Sequence, residues 1–167
     1  MADWSAVQYS KFKYERTVPA IDLVNSIECR NVKSVLDVGC GIGNSTSVLA
    51  KKFPEAKIIG IDNSDDMIAT TRKENPNIEF SKVDAETEIA EIAVRCDVVF
   101  SNACIQWIPN HRNLLKDMFS LLNAGGVLAV QIPLQSKHPV HGIMKSLARS
   151  EKWRDKIHTE RVYNNLS

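Results

Sequence analysis

Val35-Leu36-Asp37-Val38-Gly39-Cys40-Gly41-Ile42-Gly43-Asn44-Ser45 decides the fold of this chain. A short apolar run carrying one carboxylate enters a turn with three alternate glycines, and polar helix starters follow. That order predicts a buried strand, a tight loop and a helix N-terminus. Glycines at 39, 41 and 43 allow positive φ and leave no Cβ between loop and ligand. Asn44 or Ser45 is placed to cap the helix. Strand, glycine loop and helix in succession form a nucleotide cradle in open α/β sheets; the plainer alternative is an ordinary glycine-rich turn.

The spacing argues against a dinucleotide. A dinucleotide fingerprint sets its third glycine after a two-residue gap, whereas Gly41 and Gly43 are separated by Ile42 alone. Asp37 also sits inside the strand, two residues before the first glycine, where it would repel a pyrophosphate. An acid there suits a ligand with a positive group near the loop. S-adenosylmethionine carries such a group in its amino-acid tail, beside the sulfonium.

At 167 residues the chain predicts one domain with a sizeable core. Its 44% hydrophobic and 25% charged residues are those of an ordinary soluble protein, and a net charge of +1 argues for neither a nucleic-acid nor an acidic-lipid partner. No apolar run approaches a membrane span, and Met1-Ala2-Asp3-Trp4 begins no signal peptide. Cys29, Cys40, Cys96 and Cys104 lack C-x-x-C spacing, so neither a zinc site nor a redox pair is expected. Three of them lie in or beside apolar segments where a free thiol packs, and a reducing cytoplasm is the expected setting.

Before the glycine loop, Trp4, Tyr9, Phe12, Tyr14 and Arg16 form an aromatic and basic leader, either covering the core or closing over a ligand. Residues 19–27 have helical spacing, with Pro19 in the first turn. After the loop, a helix from about Ser45 is limited by Pro54. Lys57 to Asp62 predicts a second buried strand ending in a carboxylate, placed to accept from both ribose hydroxyls or to start a turn. Ser64 caps the next helix, with Asp65 and Asp66 in its first turn; Met67 could lie against an adenine face or fill the core. Ile78 to Asp84 alternates as a third strand, and Asp84 could accept from an adenine amino group or begin the next turn. A modest helix is expected over 85–94, then a fourth strand, Asp97 to Asn102.

The loop from Ala103 to His111 contains Gln106-Trp107-Ile108-Pro109, and Leu114, Leu115, Met118, Phe119 and Leu122 mark an amphipathic helix. Gly125 and Gly126 stand where a helix C-cap wants glycine, and 127–132 predicts a fifth strand. Alternation of strands and helices gives a parallel sheet with helices on both faces. The tail has a helix-like stretch over 142–156 with mixed charges, which predict a solvated face. His138 and His141 have no third ligand candidate, so no metal site is expected.

Taken together, Asp37 to Thr46, Gly60-Ile61-Asp62, Asp84 and the block around Gly125-Gly126 resemble the class I S-adenosylmethionine-dependent methyltransferases. Asp3-Trp4, Tyr9, Phe12, Glu15-Arg16, Pro19-Ala20, the run Ser101 to His111 and Gln131-Ile132-Pro133 are similar to the trans-aconitate 2-methyltransferase family within them. The resemblance runs from about residue 2 to 144. It implies a Rossmann-like doubly wound α/β sheet of about five parallel strands in one cofactor-binding domain, 1–167, with a leader or lid at 1–18 and a helical tail at 134–167. It further implies that Asp37 and the loop of Gly39, Cys40, Gly41, Gly43 and Asn44 hold the methionine part of S-adenosyl-L-methionine. Asp62 would take the ribose hydroxyls, Asn63 and Met67 the adenosine, and Asp84 with Ala85 the adenine edge. Asn102 would lie below the amino-acid tail with Trp107 nearby, while Tyr9, Arg16 and Gln106 would belong to the substrate side or lid.

The family continues beyond this length, with a last antiparallel strand beside the fifth. Strand 127–132 is therefore expected as an open edge, to be covered by another copy in a homodimer, covered by the tail helix, or left in a less stable protein. The implied reaction is methyl transfer to a carboxylate of a small polycarboxylic acid. A carboxylate needs no deprotonation near neutral pH, so no catalytic base is expected; alignment and exclusion of water suffice. Arg16, His111, Lys137, His138 and His141 are candidates to meet an anion. The competing expectations are a truncated cofactor-binding module without catalysis and a methyltransferase for another small acceptor. Dehydrogenase and RNA methyltransferase readings are disfavoured by the glycine spacing and the near-neutral charge.

Overall fold

The structure is a computed structural model that describes residues 13–133, 139–154 and 156, without the side chains of residues 13–16, 141 and 145. The element order is α1 (Lys13–Asn25), β1 (Ser34–Val38), α2 (Asn44–Lys52), β2 (Lys57–Asp62), α3 (Asp65–Glu74), β3 (Glu79–Lys82), β4 (Cys96–Asn102), α4 (His111–Ser120), β5 (Leu122–Gln131) and α5 (Pro139–Arg149). Short 3-10 turns at Ile89–Glu91 and Ile105–Trp107 precede β4 and α4. The sheet order is β3-β2-β1-β4-β5, with every pairing parallel.

Alternation along the strands divides the core between two faces. Val35, Val98 and Phe100 pack with Ala20 and Val24 of α1 and Leu49 of α2. Leu36, Val38 and Val99 pack on the other face with Ile89, Leu114 and Met118. Helices on both faces of a parallel sheet are thus a direct result of strands that are apolar on both sides. Two polar ties hold the end of the sheet remote from the glycine loop. The Asp97 carboxylate accepts from the N–H groups of Lys33 (2.8 Å) and Ser34 (3.0 Å) and from Asn123 Nδ2 (2.8 Å), joining β4 to its neighbours on both sides. Bonding to Asn123 first, and then to Lys33, holds that carboxyl below the usual range. Lys52 Nζ donates to the carbonyls of Val24 (2.6 Å), Asn25 (3.2 Å) and Ile27 (3.1 Å), tying the end of α1 to α2.

Several local expectations are corrected. The expected helix over 85–94 is a series of turns with a single 3-10 turn, because Ile89 and Ile92, three apart, meet the core without a longer α-helix. Helix α1 starts six residues before Pro19 and carries it in its interior, where one backbone donor is missing. Gly125 does not cap α4, which ends at Leu121. It has φ +79 inside β5, where the register shifts between Cys96 and Val98 of β4, so the fifth strand begins at Leu122.

β5 pairs with β4 and, among the described residues, with no strand on its other side. Apolar residues of α5 do not cover it: Val140, Ile143, Met144 and Leu147 are each more than half exposed. No helix of the described residues is long and apolar enough to cross a membrane.

Candidate functional site

The carboxyl ends of β1, β2 and β3 open onto a cavity of about 810 Å³. Its floor is the glycine bend. Gly39, Gly41 and Gly43 have φ of +76, +53 and +86, so the three alternate glycines are required by the backbone. The N–H groups of Gly39 and Cys40 both donate to Ile61 O (2.8 and 3.0 Å), clamping the bend to β2. A Cβ at Gly39 would collide with Cys104, and one at Gly43 with Thr71, whereas one at Gly41 would meet nothing within 4 Å. Gly41 is therefore where the bend faces open space.

Gly43, and neither Asn44 nor Ser45, occupies the cap position of α2, and it offers no side chain. The hydroxyls expected to cap are used elsewhere. Ser45 Oγ (2.8 Å) and Thr46 Oγ1 (2.6 Å) donate to Asp37 Oδ2. Asp37 is fully buried, and its Oδ1 has no hydrogen-bond partner. Burial, opposed by the two hydroxyls and reinforced by Asp62, pushes its carboxyl up from 3.8 to about 6. Asp37 thus lies beneath the bend and not on the cavity wall.

Asp62 does line the cavity. Its Oδ2 accepts from Gly41 N–H (3.0 Å) and its Oδ1 from Ser64 N–H (3.0 Å), so it serves as a turn aspartate and as a brace of the glycine bend. Each oxygen keeps a lone pair for a ligand. Burial pushes this carboxyl up as well, against the bonds from Ser64 and Gly41. Asp84 likewise lines the cavity and holds a turn, its Oδ1 accepting from Glu86 N–H (2.9 Å). Asn63 and Ala85 also border the cavity, as does Met67, which is 3% exposed and packs on Ile42. Ser64 caps α3 as expected, accepting from Met67 N–H at 3.4 Å.

Trp107 closes the far wall beside Cys104 and is 44% exposed. Cys40 is buried against Ile68 and Phe80, behind the bend. Asn44, Asn102 and Gln106 each bury a side-chain oxygen without a hydrogen-bond partner. His111 is buried with Nε2 2.7 Å from Ile105 O, a structural position and not an anion-binding one. Trp4, Tyr9, Phe12, Lys137 and His138 lie outside the described residues, as do the side chains of Tyr14, Arg16 and His141. Ser45, Thr46, Cys104 and Ala103 were missed as parts of the site. A hydroxyl pair eight and nine residues after Asp37 was the signal for the first two.

The arrangement fits a cationic nucleoside. Cys104, on the cavity wall, has its thiol pushed up to about 12, by burial first and then by the nearby Asp62 and Asp37 carboxylates. Four acceptors (Asp37 Oδ1, Asn44 Oδ1, Asn102 Oδ1 and Gln106 Oε1) are buried without a hydrogen-bond partner, and none of these four residues lines the cavity. Asp62, Asp65, Asp66, Asp84, Glu86 and Glu88 do line it, so a positively charged group suits the cavity. Among the described residues that line the cavity, Lys82 is the one cation, and it pairs with Asp65 at 2.5 Å.

This sheet, with an acid-flanked glycine bend at its centre, defines a class I S-adenosylmethionine-dependent methyltransferase fold. The chain belongs to the methyltransferase domain family, whose model matches residues 35–126. It is 42% identical over 159 residues to a trans-aconitate 2-methyltransferase of Rhodopseudomonas palustris, covering 95% of this chain and 61% of the relative. A trans-aconitate 2-methyltransferase of Methylobacterium radiotolerans is 41% identical over 92% of this chain and 58% of its own length. The chain thus spans about three-fifths of these curated relatives. Among solved structures, S-adenosylmethionine-bound CalS10, an amino pentose methyltransferase from Micromonospora echinaspora, superposes with a TM-score of 0.60 at 22% identity, over 72% of this chain and 51% of its own. DesVI from Streptomyces venezuelae gives 0.63 at 21% identity, over 76% and 55%. Both share the fold.

Proposed function

We propose that this chain binds S-adenosylmethionine in the cavity and directs its methyl group to a carboxylate oxygen of a small polycarboxylic acid such as trans-aconitate. When bound, the cofactor supplies an electrophilic methyl group on a thioether leaving group. The chain's own residues bind and orient. Asp62 takes the ribose hydroxyls, Asn63 and Met67 the adenosine, and Asp84 with Ala85 the adenine edge. The glycine bend, Asn102 and the charge of Asp37 beneath it hold the amino-acid tail, with Trp107 at the wall.

The convergence of Asp62 and Asp84, at the ends of two adjacent parallel strands, with the Gly39–Gly41 bend on one cavity is the observation that carries this assignment. The acceptor is supported by the similarity to enzymes named for trans-aconitate. Asp62, Asp65, Asp66, Asp84, Glu86 and Glu88 border the cavity. An anionic acceptor must therefore find its cations elsewhere, and Arg16 of the leader is the first candidate. The four cysteines are all free, which supports a cytoplasmic setting.

Titration calorimetry with S-adenosylhomocysteine, joined to a labelled-methyl assay with trans-aconitate, tests both parts. Binding with methyl transfer is the expected result. Binding without transfer would favour a cofactor-binding module, a second reading that the three-fifths coverage of the relatives keeps open. We also propose that two copies pair through the edge of β5 that no strand of the described residues covers, since an unpaired strand edge is a template for another strand. Light scattering is expected to give about twice the 18.7 kDa chain mass, and a monomer at high concentration would refute the pairing.

A further inference from the structure

Ala103 is the one described residue other than glycine or asparagine with positive φ, at +52. Asparagine eases that conformation with its side chain, as Asn31 and Asn110 can, but alanine has no such means. The strained residue lines the cavity, immediately after β4. Strain of this kind persists where the surroundings over-determine it, and both of its backbone groups are held. Ala103 N–H donates to Gln131 O of β5 (2.9 Å), and Ala103 O accepts from Gln106 Nε2 (2.8 Å).

The consequence lies in the next four residues. Cys104 fills the space that a Cβ on Gly39 would need. Ile105 is buried in the core, and its carbonyl meets both Ile108 N–H (3.0 Å) and His111 Nε2 (2.7 Å). Trp107 N–H donates to Cys104 O (3.1 Å), and its ring stands at the cavity wall.

Resting on the cofactor reading above, we propose that Ala103 and Gln106 are positioning residues. Their bond fixes the left-handed turn that seats Cys104 in the Gly39 notch and sets Trp107 against the bound nucleoside. The wall is pre-formed by local strain, and relaxing that strain softens the wall while the domain stays folded.

The test uses the full chain as wild type, Ala103→Gly and Gln106→Leu, each also made with Trp4→Phe and Trp153→Phe so that Trp107 is the sole indole. Ala103→Gly is expected to keep or raise the thermal midpoint, since glycine accepts this backbone freely. Both variants are expected to weaken S-adenosylhomocysteine about five- to tenfold, as a pre-organised wall is lost. Both are also expected to raise acrylamide quenching of Trp107. Affinity within about twofold of wild type, with unchanged quenching, would overturn the proposal. Failure of wild type to bind the nucleoside would instead sink the cofactor reading, and the quenching comparison alone would then decide the role of Ala103 and Gln106.

Discussion

Asp37→Asn is expected to make the ligand-free protein more stable and its cofactor site much weaker. The carboxylate is fully buried, with two hydroxyls on Oδ2 and nothing on Oδ1. Its rise from 3.8 to about 6 means that the folded state binds a proton more tightly than the unfolded chain does. The contribution of this group to stability is therefore complete below about pH 4 and is lost as the pH rises to about 6. Ionised at neutral pH, it costs on the order of 3 kcal/mol. Asparagine keeps an oxygen for Ser45 and Thr46 but leaves an unpartnered amide donor, which returns about 1–2 kcal/mol of that gain. A net gain of about 1–2 kcal/mol, or roughly 3–6 °C in thermal midpoint, is expected at pH 7.5, with a flatter stability profile between pH 4 and 6. Loss of the buried charge beneath the bend is expected to weaken S-adenosylmethionine by at least about 30-fold. A variant that is both less stable and equally tight would show that Asp37 serves the fold alone.

The glycines allow folding and binding to be separated in the same way. Gly39→Ala places a methyl group into Cys104 on a backbone at φ +76, and nothing nearby can yield without moving the 103–107 turn. A loss of about 3 kcal/mol or more is expected, seen as a fall of roughly 6–12 °C in thermal midpoint. Gly41→Ala meets nothing within 4 Å and retains only the strain of φ +53. It is expected to cost about 1–2 kcal/mol in stability. The added methyl group occupies the open side of the bend, so binding is expected to weaken about tenfold or more through lost close approach. Equal losses of stability in the two variants would contradict this division of roles.

Much of the fold was legible because its strands are apolar on both faces. Runs such as 57–62 and 96–102 suit a parallel sheet covered on both faces. The glycine bend was legible for a similar reason, since three alternate glycines imply positive φ. What sequence left open was pairing at a distance. Ser45 and Thr46 turn inward to Asp37 and not to the helix cap, and nothing local reveals that Asp97 gathers Lys33, Ser34 and Asn123. Gly125 could equally end a helix or bend a strand, because both need the same φ. Ile89 and Ile92, three apart, fit a 3-10 turn as well as an α-helix. Of the three acids, Asp62 and Asp84 line one cavity and Asp37 does not, and Asp62 and Asp84 each hold a turn.

A crystal structure of the chain with S-adenosylhomocysteine tests the central claim most directly. The ribose hydroxyls should lie within hydrogen-bond distance of Asp62, the adenine beside Asp84 and the amino-acid tail over Gly41, near Asn102. A nucleoside found elsewhere, or a cavity that stays empty at saturating ligand, would contradict the account.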